Sequence, residues 1–253
     1  ADAVLILGED VLNTAPRVAL AVRQSVRNTA LDLDQEAGIP LWQEAGVRSH
    51  GQAAQSPLLV ASVLPTELDD IATARCNGGP DVLAAVGFAI AHGIEAAFAS
   101  ANGLDAANAE FVSAAVTALT SAQRPLVVSG TSLRHAGVIK AAANIAWALA
   151  GADKNASLLL TSAEANSLGV GLLGGGMSLD AALKGAASGR PMIVLENDLS
   201  RRAGTELVTS AFANSAHTAV LDSLEGPSAE RASLVLPCAT FAESTGTYVN
   251  YEG

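Results

Sequence analysis

The chain has 253 residues, of which 50% are hydrophobic, 15% charged and only 4% aromatic. So apolar a composition excludes intrinsic disorder, and Cys76 and Cys238, the only cysteines, are too few for a disulfide scaffold or a four-ligand iron–sulfur cluster. The formal charge of -11 repels a phosphate backbone and argues against nucleic-acid binding.

A cytosolic, reducing compartment is the plain reading of the cysteine usage. No uncharged apolar run reaches the roughly 18–20 residues of a membrane span. The nearest, residues 82–94, is closed by Asp81 and Glu95 and reads as a buried helix. With no initiator Met, basic leader or cleavage signal, the chain reads as a piece of a longer polypeptide.

Short β-rich runs alternate with helical patterns along the chain. Val4-Leu5-Ile6-Leu7 ending at Gly8 is a strand followed by a turn. Pro16 stands where a first helical turn begins, and Val18, Val22 and Val26 recur every four residues, as on one helix face. A strand follows at 58–60, and Thr66 in Thr-Glu-Leu-Asp predicts a capped helix start. Helices are expected over 81–98, 107–122 and 136–150, with a strand at 126–128 between the last two. Then come a strand at 157–161, a glycine-rich loop and a helix over 178–187. A strand at 193–195, a helix over 202–213 and strands at 219–221 and 234–236 complete the series. Strands alternating with helices predict parallel sheets flanked by helices.

The pattern also echoes itself. Val4 to Asp10 resembles Ile193 to Asp198, and each is followed by a helix, a strand and an acidic helix start. Two related α/β lobes are expected, residues 1–155 and 156–253.

Catalytic motifs are scarce. There is no Gly-x-Ser-x-Gly and no His-Glu-x-x-His, and Lys140, Lys154 and Lys184 lack a phosphate-binding glycine loop. His50, His92, His135 and His217 are too scattered for a metal site and read as packed or surface residues. Gly169-Val170-Gly171-Leu172-Leu173-Gly174 fits Gly-x-Gly-x-x-Gly, with Glu196 ending the next strand, as in dinucleotide sites. Residues 163–168 separate it from its strand, however, and the helix starts late, so a flexible glycine connection is the preferred reading.

The segment from Leu236 to Gly253 is the most specific feature. Its Leu-Pro, Phe241-Ala242-Glu243, Gly246-Thr247 and Asn250-Tyr251-Glu252-Gly253 elements resemble the closing signature of the molybdopterin oxidoreductase superfamily. Ala1 to Gly8 resembles that superfamily's first strand, with Glu9-Asp10 replacing its Asn-Pro turn. Within it, residues 17–24, 68–72, 87–92, 128–131 and 194–199 resemble the family of G subunits of NADH-quinone oxidoreductase, bacterial respiratory complex I.

The resemblance implies two Rossmann-like lobes, the second incomplete, with a mobile or self-associating sheet. It implies iron–sulfur clusters in a region outside this chain, NADH oxidation in a neighbouring subunit, and no catalytic residue, metal or cofactor here. Partners would be other complex I subunits, and the location the cytoplasmic side of the bacterial inner membrane, peripheral, with no nucleic acid and no membrane insertion. Glu243, Gly246, Thr247 and Asn250 are the vestigial cofactor-binding candidates. Their structural reading is a turn at Gly246, with Glu243 and Asn250 bonding loop amides. Cys76 and Cys238 read as buried apolar residues. The alternatives are a lobe that binds a molybdopterin dinucleotide or NAD, and a free-standing interaction module.

Overall fold

The computed structural model describes residues 1–51, 54–101 and 103–253. It is α/β, with two parallel sheets in two compact units, Ala1–Leu168 with Asn250–Gly253, and Gly169–Val249.

The first unit is built on β1 (Ala3–Leu7), β2 (Leu58–Ser62), β3 (Ala74–Asn77), β4 (Pro125–Gly130) and β5 (Ser157–Thr161). They lie in the order β3-β2-β1-β4-β5 and every pair is parallel. The central strands β1 and β2 are buried at every position. That is why they read as continuous apolar runs, since a parallel sheet is covered on both faces. The edge strand β3, Ala-Arg-Cys-Asn, buries only Cys76 and escapes a hydrophobicity reading.

Helices α1 (Val11–Thr14), α2 (Pro16–Ser25), α3 (Asn28–Glu36) and α4 (Glu44–Gly51) join β1 to β2. Helices α5 (Pro80–Ile94) and α6 (Ala106–Ser121) join β3 to β4, and α7 (Ala136–Gly151) joins β4 to β5. Alternate residues of a strand face opposite ways, so β1 feeds two cores. Leu5 and Leu7 join Leu83, Ile90, Phe111, Leu119, Ile145 and Leu149 of α5, α6 and α7, while Val4 and Ile6 join Ala19, Val22, Val26 and Leu68. Each large side chain so buried contributes about 1.5–3 kcal/mol. Gly87 lets α5 approach closely: a Cβ there would come within 2.7 Å of Ala141 Cβ and 2.8 Å of a Leu7 methyl. Trp42 and Trp147 stay outside, 81% and 74% exposed.

Two expectations need correction here, and two helices are unforeseen. The Thr66 segment makes a turn rather than a helix: the Thr66 hydroxyl accepts from the Leu68 N–H at 3.3 Å and donates to Asp69 at 3.0 Å. Helices α3 and α4 go unannounced because they bury little, only Asp34 in α3 and Val47 and Gly51 in α4. The strand 157–161, expected to open the second lobe, pairs with β4 from Leu126↔Ser157 to Gly130↔Thr161, so the first unit runs on to Leu168.

Helix α8 (Ser167–Leu173) follows β5. The second unit contains α9 (Leu179–Ala187), β6 (Met192–Leu195), α10 (Thr205–Asn214), β7 (Thr218–Asp222) and β8 (Leu234–Pro237), with the sheet ordered β6-β7-β8. Ser178 caps α9 by accepting from the Ala181 N–H at 3.2 Å. One face of the sheet is covered: Val194 and Val220 pack with Leu183, Ala186, Val208 and Ala211 of the two helices. The other is bare, with Ile193 75% and Leu195 64% exposed and all of β8 exposed. No described helix is long and apolar enough to cross a membrane.

Candidate functional site

In an open parallel sheet, ligands bind beyond the carboxyl ends of the strands where the strand order reverses. In the first unit that point lies between β1 and β4, since β2 and β3 extend one way from it and β5 the other. Two connections meet there, Gly8-Glu9-Asp10 after β1 and Thr131-Ser132 after β4. Gly8 starts its connection with φ +78°, and a Cβ on it would lie 2.7 Å from a Val138 methyl. Glycine meets both demands.

The chain then turns Glu9 inward, where it is 1% exposed. Ser132 holds both carboxylate oxygens: its N–H donates to Oε1 at 3.0 Å and its hydroxyl to Oε2 at 2.7 Å. The Thr14 hydroxyl lies 3.3 Å from Oε2. Gly130 makes the room, because a Cβ there would clash with both Glu9 Oε1 and the Thr161 carbonyl. At the same end of the sheet, His135 Nε2 pairs with Asp81 Oδ1 at 3.0 Å. Nothing in this cluster supplies an exposed nucleophile beside a base. Its chemistry is the holding of a carboxylate by neutral donors.

The vestigial candidates make local contacts. The Glu243 carboxylate accepts from the Thr240 N–H at 3.0 Å and hydroxyl at 2.7 Å. These bonds hold its pKa below the ordinary carboxylate value, since they favour the charged form. Asn250 Oδ1 accepts from the Glu252 N–H at 3.1 Å. Both therefore bond local amides, in turns of their own loops. Gly246 departs from expectation: its φ is not positive, and a Cβ there would meet only a Tyr248 ring carbon at 3.9 Å. Its backbone asks for no glycine. Thr247 is exposed. Glu243, Gly246 and Thr247 lie in the second unit and Asn250 in the first.

The Gly169–Gly174 fingerprint is also corrected. Gly169 and Gly171 lie inside α8, and the Gly169 N–H donates to the Val249 carbonyl at 3.2 Å rather than opening into a phosphate cradle. Only Gly174 and Gly175, past its end, take positive φ, +63° and +68°, as at a helix C-terminus. Strand–glycine loop–helix geometry is missing, so a pyrophosphate does not fit these residues. Cys76 is buried, its thiol 2.9 Å from Asn108 Oδ1, while Cys238, expected to be buried, is partly exposed. The histidines stand apart: His50 pairs with Asp34 at 2.9 Å and His92 with the Phe98 carbonyl at 2.8 Å. Among the described residues no three His, Cys, Asp or Glu side chains gather as a metal would need.

Sequence reasoning saw Glu9 only as a departure from a turn. The signal that could have found it is a carboxylate directly after the strand–glycine pair Leu7-Gly8, where a parallel sheet opens.

No family model matches the chain. Curated relatives match along all of it. It is 44% identical to the G subunit of NADH-quinone oxidoreductase from Pseudomonas fluorescens, 45% to that of Pseudomonas putida and 41% to that of Escherichia coli. The match covers 100% of this chain and 28% of each of those relatives.

Proposed function

Because the chain is homologous over its whole length to part of the G subunit of NADH-quinone oxidoreductase, we propose that it is a non-catalytic region of such a subunit. It serves the passage of electrons from NADH to quinone by structure. It presents surfaces to other subunits of respiratory complex I, peripheral to the membrane on its cytoplasmic side. The iron–sulfur clusters belong to parts of the subunit outside this chain. The carrying observation is the 41–45% identity along the whole chain. The site supports the non-catalytic part of the reading. The crevice where a doubly wound sheet takes its ligand is filled by the chain's own Glu9, and the glycine fingerprint is helical.

The test is removal of this region from the parent subunit in its own bacterium, with the complex then isolated from membranes. The expected result is less assembled complex with an unchanged NADH oxidation rate per iron–sulfur content. A normal yield of complex with a lost rate would overturn the reading. So would molybdenum or tungsten at one atom per chain in the intact subunit, which would favour a cofactor-binding lobe.

A further inference from the structure

The first unit has the strand order and parallel pairing of a ligand-binding doubly wound sheet. The position that recognises an anion in such sheets, between the first and fourth strands, is built and filled. Glu9 is 1% exposed, and its two oxygens are met by the Ser132 N–H and hydroxyl at 3.0 and 2.7 Å, with Thr14 Oγ1 at 3.3 Å. A main-chain N–H and a hydroxyl of one loop residue closing on two oxygens is how a loop grips a small oxyanion. The strand ends are shaped around that group, since any side chain at Gly130 would strike Oε1. Burying a carboxylate is costly, and here the cost is offset by donors that would otherwise be left unpaired in the crevice.

We propose that Glu9 is a tethered anion, a side-chain carboxylate standing in the place of an anionic ligand. It closes the switch-point site against carboxylates, phosphate and the phosphates of nucleotides, and lets the lobe fold with no ligand bound. This inference deepens the non-catalytic reading of that crevice by naming the chemistry Glu9 replaces, while the salt response that tests it does not depend on membership of complex I.

The experiment uses the full chain with Glu9→Ala and Glu9→Gln, followed by thermal unfolding in sodium acetate, sodium phosphate and sodium chloride at matched ionic strength. The wild-type midpoint supplies the general salt response, in which excluded anions such as phosphate stabilise more than chloride, and each variant is read as its difference from that. The Ala variant should melt lower by about 5 °C or more, and acetate or phosphate, but not chloride, should restore at least half the loss in a saturable way. The Gln variant, isosteric but uncharged, should also melt lower, since its NH2 group faces donors. A Gln variant as stable as wild type would show that charge is not recognised, and would overturn the proposal. An Ala variant with no anion response beyond that of wild type would overturn it too. If the Ala variant does not fold, the Gln midpoint decides alone.

Discussion

Gly8 and Glu196 occupy one position in two copies of a single backbone pattern. Each directly follows a strand, each has positive φ (+78° and +45°), and each N–H donates to the neighbouring strand, to Ala61 at 2.7 Å and Leu221 at 2.8 Å. The match continues in register along all three strands. The Val4 N–H donates to Pro57 and that of Met192 to His217, and the Thr73 N–H donates to Leu58 and that of Ser233 to Thr218. The Thr73 and Ser233 hydroxyls in turn accept from the Leu58 and Thr218 N–H groups. Both sheets thus use the same three-strand unit, β1-β2-β3 and β6-β7-β8.

The two positions should nevertheless respond oppositely to substitution. Gly8→Ala places a Cβ 2.7 Å from Val138 and forces a left-handed backbone, so a loss of about 2–3 kcal/mol is expected. Glu196→Gly relieves a non-glycine left-handed residue and should be neutral or stabilising by up to about 1 kcal/mol. Urea unfolding of the two variants measures both signs.

The first part of this pattern was legible in the sequence, and the reason is physical. Strands buried on both faces, such as Val4-Leu5-Ile6-Leu7, advertise themselves by composition, and Pro16 and Ser178 mark helix starts through backbone chemistry. What stayed hidden depends on contacts distant in sequence. Strand β3 carries Arg75 and Asn77 because one edge needs no apolar cover. β5 belongs to the first sheet through pairing with β4, which no local signal encodes. Glu9 becomes a site residue only when Ser132, remote in sequence, folds beside it. The C-terminal signature, the most recognisable stretch as text, folds into separate local turns.

Acid should remove one specific contribution from the first unit. Burial alone would raise the pKa of Asp2, but the N–H groups of Gln123 at 2.9 Å and Arg124 at 2.8 Å, with the Arg124 charge, outweigh it. The carboxyl is therefore held below its ordinary value of 3.8. A depressed folded-state pKa means that the contribution is full above about pH 4 and is lost as pH falls through the folded value. Asp2→Asn should thus be less stable than wild type at pH 7, and the gap should close toward pH 2. A gap that stays constant across paired denaturation curves would contradict this.

The two thiols should separate kinetically. Burial, with the Asp105 charge nearby, pushes the Cys76 thiol up, and only a thiolate reacts readily. Cys238 is partly exposed. Iodoacetamide at pH 8 followed by peptide mass mapping should label Cys238 first, with Cys76 modified only on unfolding. Equal labelling of the native chain would show that the Cys76 pocket opens freely.

The second unit's sheet has one covered and one bare face, and substitutions should report which is which. Val194→Ala, on the covered face, should cost about 1–3 kcal/mol. Ile193→Lys, one residue earlier, should change stability by no more than about 0.5 kcal/mol, while lowering any self-association that the exposed Ile193, Leu195 and β8 support. Hydrogen exchange should find the amides of β6 and β8 less protected than those of β1 and β4. Equal protection, or a large loss from Ile193→Lys, would mean that the bare face is covered in solution.

The placement of the two tryptophans decides what this chain reveals to light. Trp42 and Trp147 are both in the first unit and both face water, so their emission is expected near that of a free indole. Unfolding the apolar interior, made of Ala, Val, Leu and Ile, passes almost unseen in fluorescence. An object settling over the outer side of α7 would shift the Trp147 spectrum to the blue. The second unit has no indole of its own. Emission from this protein is therefore a gauge of what touches its first unit, and far-ultraviolet dichroism is the better witness to its melting.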